Sequence, residues 1–110
     1  MNKAKYSFVD SAEVEWEKSD TEGVKIKRLA TANDQVMALY WFSPNVVFPD
    51  HVHQGPEFIY MLEGSAIVGG KWIHAGWSSG AETGSIDKQF TSGDSGCIFL
   101  CTYTQGSTYL

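Results

Sequence analysis

The strongest constraint on this chain's fold is how often turn residues interrupt it. They cut the sequence into short strand-like segments, and none carries the 3.6-residue apolar period with caps that a helix needs. Residues 6–9 are apolar-aromatic and stop at Asp10-Ser11. Residues 14–16 alternate, residues 19–23 form a polar loop, and residues 24–29 set Val24 and Ile26 against Lys25, Lys27 and Arg28. Asn33-Asp34 turns the chain into a long apolar run at 36–42, which Ser43-Pro44-Asn45 ends. A histidine-bearing stretch follows, then an apolar strand at 57–62 with Gly64 as its hairpin corner. Shorter strands are expected at 65–68, 71–73 and 77–79, separated by Gly69-Gly70 and Ala75-Gly76. A looser stretch at 80–96 leads to a last apolar strand at 97–103. Many short strands in 110 residues predict one all-β domain, a sandwich or barrel with little helix.

The charge balance narrows the partners. A net charge of −5, with basic residues scattered, excludes a phosphate-backbone partner, because such binding needs clustered Lys and Arg. Lys25, Lys27 and Arg28 read as a solvated strand face. No apolar run approaches the length of a bilayer span, and no secretory leader is visible after Met1, so no membrane partner is expected. Cys97 and Cys101 sit four apart on one strand, which separates their α-carbons by about 13 Å, too far for a disulfide. Reduced thiols and a cytoplasmic location are the expectation.

The stretch His51-Val52-His53, three residues, Glu57 carries the chemistry. In extended chain, residues i and i+2 point to one side, so the two imidazoles address one point in space. After the bend at Gly55-Pro56, Glu57 opens a new strand and brings a carboxylate to the same place. Two neutral imidazoles and a carboxylate are donors for catalytic iron, manganese, nickel or zinc. Parity along the Glu57 strand puts Ile59 and Met61 on its face, with Phe58, Tyr60 and Leu62 opposite. Tyr40 belongs to one of two possible inward sets, Val36, Ala38, Tyr40 and Phe42 or else Met37, Leu39 and Trp41. On the last strand Cys97, Phe99 and Cys101 share a face. Ile59, Met61, Tyr40 and Phe99 are therefore the candidate ligand-contacting residues, lining an apolar space suited to a small uncharged or chelating organic molecule. Plain core packing is the competing role for each.

These residues resemble the RmlC-like cupin superfamily. Its first motif is Gly, five residues, His-x-His, three or four residues, Glu, six residues, Gly. Here Asn45, His51, His53, Glu57 and Gly64 keep every spacing, with Asn45 in place of the first glycine. Asn tolerates left-handed backbone best after Gly. The second motif is matched only in its glycine frame, Gly76 and Gly84; Glu82, Asp87 and Thr91 stand where Pro, His and Asn are usual. Within the cupins the chain is most similar to the domain of ChrR-type anti-sigma factors and to acetylacetone-cleaving dioxygenase-like proteins. Trp16, Phe48-Pro49, Ala75-Gly76-Trp77, Gly84-Ser85 and Ser95-Gly96-Cys97 carry that likeness.

The resemblance implies a double-stranded β-helix, or jelly roll, with a divalent metal inside one end and pairing into a homodimer through sheet edges. By position it implies His51, His53, Glu57 and Asp87 as ligands. Two imidazoles and two carboxylates favour Fe2+ or Mn2+, with Zn2+ or Ni2+ possible. A turn role for Asp87 competes with ligation, Glu82 is a second nearby carboxylate, and His74 reads as a strand-end residue. The expected function is a metal-dependent dioxygenase acting on a small diketone or phenolic compound; alternatives are a non-catalytic metal- or ligand-sensing module and a cupin with a degenerate site. The anti-sigma proteins add a helical zinc-binding domain, which these residues do not contain, and that sets the expectation against an anti-sigma role.

Overall fold

The computed structural model describes residues 5–105 and the backbone of residues 108 and 109. A single 3-10 turn, Ser11–Glu13, is the only helical element among the described residues, and Asp10 caps it by accepting from the Ala12 amide at 3.0 Å. The strands are β1 (Glu17–Lys18), β2 (Val24–Ala32), β3 (Gln35–Phe42), β4 (His51–Val52), β5 (Glu57–Val68), β6 (Lys71–His74), β7 (Ser78–Ala81), β8 (Ile86–Asp87), β9 (Thr91–Thr104) and β10 (Thr108–Tyr109). The larger sheet runs β1-β2-β3-β9-β5-β6, with β7 also paired to β5, and the smaller runs β10-β4-β8. All pairings are antiparallel. The result is the expected jelly roll.

Strand parity explains which side chains fill it. Val36, Ala38 and Phe42 on β3 are buried, while Met37 is 40% exposed, so the set containing Tyr40 faces inward. Ile59 and Met61 on β5 and Cys97, Phe99 and Cys101 on β9 are buried from the facing strands. Phe42, Phe90 and Phe99 meet with ring centroids 5.0 to 5.6 Å apart and tilted planes, the geometry aromatic quadrupoles favour. Both cysteines are free thiols, as their spacing required.

Several strand expectations need correction. Residues 6–9 form no strand: Tyr6 and Phe8 are 79% and 90% exposed and stack only on each other. Residues 14–16 are likewise not in a strand. Gly64 is no hairpin corner, because β5 passes through it without turning back. Its φ of 75° sits between two register shifts against β9, at Met61/Glu63 and Gly64/Ala66, so it is a bulge glycine inside a twelve-residue strand. β9 similarly begins at Thr91 rather than 97 and runs through Gly93 and Gly96. The true hairpin corner is Gly69-Gly70, where φ values of 56° and 81° satisfy the type I′ requirement between Val68 and Lys71.

Candidate metal centre

The donors are gathered by the smaller sheet. Asn45 adopts φ 57°, the left-handed conformation expected of it, and the chain then runs past Val47, which bridges Thr91, to β4. β4 is short because Gly55-Pro56 bends the chain, and Pro56 has no amide to extend a ladder. On β4, His51 is paired directly with Asp87 of β8, a juxtaposition across 36 residues of sequence. Beyond β4, His53 is fixed from both sides: its amide donates to the Ser85 carbonyl at 3.0 Å and its carbonyl accepts from Gly84 at 2.9 Å.

Both histidines are buried, at 6% and 4% exposure, so their imidazoles address the interior. His51 Nδ1 lies 3.1 Å from the Pro49 carbonyl oxygen, which can only accept. That contact places the ring proton on Nδ1 and the lone pair on Nε2, the tautomer a metal ligand needs. Nε2 faces Asp87 Oδ2 at 3.8 Å. One donor atom each from His51, His53 and Asp87 lies within 4.8 Å of the others. Neighbouring ligands of an octahedral or tetrahedral ion at about 2.1 Å stand about 3.0–3.4 Å apart, so side-chain movements of about an ångström bring the three to coordinating distance. The residues fit a divalent cation.

Glu57 stands outside that three-way group. Its Oε2 is 3.2 Å from His53 Nδ1, at the first position of β5. Burial pushes the Glu57 carboxyl up to about 8, and the neighbouring Asp87 charge adds to this. Burial raises Asp87 as well, with both imidazoles pulling the other way, and burial together with His51 lowers His53. Desolvation thus drives each of these groups towards its neutral form in the absence of a cation.

The sign of the resulting pH dependence follows directly. A carboxyl whose pKa is higher folded than unfolded binds more protons in the folded state, so stability falls as pH rises from about 4.5 to about 8. The lowered His53 opposes this only below its ordinary value of 6.5. Metal-free protein is therefore expected to lose melting temperature between pH 6.5 and 8. Thermal melts of Glu57→Gln should flatten that slope, and an unchanged slope would show that Glu57 does not cause it.

His51 and Asp87 of the donor group open onto a cavity of about 730 Å³ in the mouth of the barrel, and His53 is not among its lining residues. His51, Glu57 and Asp87 line it, together with Tyr40, Ile59 and Phe99 of the expected ligand-contacting residues. Met61 is not among its lining residues; it is fully buried in the core, one pair further along β5. Phe48, Phe90, Cys101 and Tyr103 add to the wall. Tyr40 stacks on Phe99 at 5.3 Å with planes 3° apart, and burial, with Tyr103 beside it, holds its hydroxyl protonated well beyond the usual range. Arg28, read from sequence as part of a solvated face, also lines the cavity. Its alternation with Val24 and Ile26 was the available signal.

A jelly roll with paired histidines and a carboxylate grouped at the barrel mouth is the architecture of the cupins. The family model described as the ChrR cupin-like domain matches residues 4–106, and the chain belongs to that family. A candidate acetylacetone dioxygenase from Methylibium petroleiphilum superposes with a TM-score of 0.88 at 20% identity, over 100% of this chain and 84% of that one. The polyketide cyclase RemF from Streptomyces resistomycificus gives 0.79 at 20% identity, over 96% and 86%. The anti-sigma factor ChrR, from the Rhodobacter sphaeroides complex with SigE, gives 0.72 at 24% identity over 84% of this chain and 49% of that chain, so this protein matches about half of it. At these identities the likeness shows the fold. No curated protein matches the chain. No helix among the described residues is long and apolar enough to cross a membrane.

Proposed function

We propose that this protein is a metal-dependent oxygenase of small diketone or phenolic compounds, with His51, His53 and Asp87 as ligands and Glu57 as the adjoining carboxylate. The observation that carries the reading is that two of the three grouped donors, His51 and Asp87, line an aromatic-walled cavity of ligand size, with His53 buried behind them. Three protein donors leave positions for substrate, as in catalytic rather than closed structural sites. The carboxylates and neutral imidazoles suit Fe2+ or Mn2+ ahead of softer ions. Once bound, the ion supplies Lewis acidity and a point of chelation. His51 is oriented for it by the Pro49 carbonyl, and His53 is oriented by Glu57. Glu57, a cavity-lining carboxylate of raised basicity, is placed to accept the proton released when a diketone or phenol binds as its anion. Tyr40, Ile59 and Phe99 hold the organic body and exclude water. Free buried thiols at Cys97 and Cys101 support a cytoplasmic setting.

Oxygen uptake by iron-loaded protein, measured against a panel of 1,3-diketones and phenols, tests the reading. Uptake that depends on both substrate and metal supports it. Metal retention with no uptake on any member favours a non-catalytic sensing module, the second reading that the likeness to ChrR raises.

We further propose that two copies pair through the outer face of β3, β9 and β5. Met37, Phe58, Tyr60 and Leu62 stand 40 to 57% exposed there, and Leu39, Leu100 and Tyr60 follow one another in register across the three strands. Contiguous apolar surface of this kind marks an interface. Light scattering should give a dimer mass that Tyr60→Lys reduces to the monomer; a monomeric wild type rejects the pairing.

A further inference from the structure

Two cations border the cavity, Lys18 and Arg28; Lys18 pairs with Lys25 on the other face of β2, which leaves Arg28 as the cation of the concave face. Arg28 lies on β2, where its Cα pairs with that of Ala38, a fully buried residue on the inner face of β3. Directly opposed residues in an antiparallel pair project to the same side, so Arg28 shares the concave face with Ala38, Ile26 and Tyr40. The register of β2 against β3 then slips between Arg28 and Ala30, leaving Leu29 as an extra residue. Bulges of this kind re-aim the neighbouring side chain and gather beside sites. Among the described residues no carboxylate lies within ion-pair distance of the Arg28 guanidinium, although Glu17 and Asp20 line the same cavity. Glu17 pairs with Ile26, one step along the same face.

A guanidinium is permanently charged and presents a planar fork that matches a carboxylate with two parallel hydrogen bonds. His51, Asp87 and Arg28 border one cavity, and its wall includes the aromatic rings of Tyr40, Phe42 and Phe99. We infer that Arg28 receives the carboxylate of the ligand, so that the site takes a small planar organic acid, chelated at one end and anchored by Arg28 at the other. This deepens the proposed function, on whose metal site it rests, by replacing an uncharged substrate with an anionic one. Glu17, which lines the same cavity, tempers the pull of Arg28 on an anion.

Two catechols isolate the effect. 3,4-Dihydroxybenzoate and 3,4-dihydroxybenzamide share the chelating diol and differ in the charge of the remote group. Calorimetric titration of zinc-loaded protein should show the acid favoured by about tenfold, the size of a charge-assisted pair discounted for its exposure. Arg28→Gln should abolish that preference, leaving amide affinity and metal content unchanged. Arg28→Lys should restore part of it, and Glu17→Gln should tighten the acid alone. Equal binding of acid and amide by the wild type overturns the inference, and so does a preference that survives Arg28→Gln. If the protein retains no metal yet still prefers the acid, the anion assignment stands and the metal reading falls. If neither compound binds, both fall.

Discussion

His51→Ala is expected to leave purified protein with no bound divalent metal while its circular dichroism remains that of a β-barrel. His51 supplies one of three grouped donors, and His53 is the other imidazole of that group. The loss should be all-or-none in elemental analysis, because two remaining donors make a weak site. The fold should persist because β4 is two residues long and makes few of the contacts that close the larger sheet. Glu57→Gln should behave differently. It removes the carboxylate beside His53 and is expected to weaken metal binding by about 10- to 100-fold without abolishing it, the range seen when a ligand's orienting partner is lost. A Glu57→Gln protein as empty as His51→Ala would make Glu57 a direct ligand. An undiminished metal-to-protein ratio in His51→Ala would reject the site.

Gly64→Ala is expected to be the most damaging single-atom change in the larger sheet. The left-handed φ of 75° costs an alanine about 1–2 kcal/mol. Its methyl would also collide with the carbonyl oxygen of Gly96, backbone that has no flexible end to move aside. Relieving that contact means parting β5 from β9, the two longest strands of the fold. A total near 3 kcal/mol is expected, which for a domain of this size lowers the melting midpoint by about 15 °C. A midpoint within a few degrees of wild type would show that the bulge can relax, and that Gly64 is not held by its conformation.

Gly64 also shows where reading a sequence stops. A glycine between two apolar runs looks the same whether the chain turns back or bulges onward, since both require positive φ. The choice is made by β9, about thirty residues later, which pairs on either side of the shift. The alternation of residues 57–62 was legible because burying Ile59 and Met61 necessarily exposes Phe58, Tyr60 and Leu62. The uniformly apolar run at 36–42 hid its parity, which only its partners fixed. Tyr6 and Phe8 looked like strand because aromatic residues favour strands, yet no sheet edge takes them up. At the site, His51 and His53 announced themselves by spacing. Asp87 was marked by its place in the second motif, with a turn role left open, and the β4–β8 register sets it opposite His51; Arg28 needed the inward face of β2.

The candidate donors lie on and beside strands of two residues, whereas β5 and β9 have twelve and fourteen. Chemistry and architecture are therefore carried by separate parts of the chain. A substitution at position 87, where the family's second motif has histidine and this chain has aspartate, alters the electronic character of the centre while the long strands keep their register. Reactivity in such a barrel can diversify over evolutionary time without eroding the scaffold that presents it.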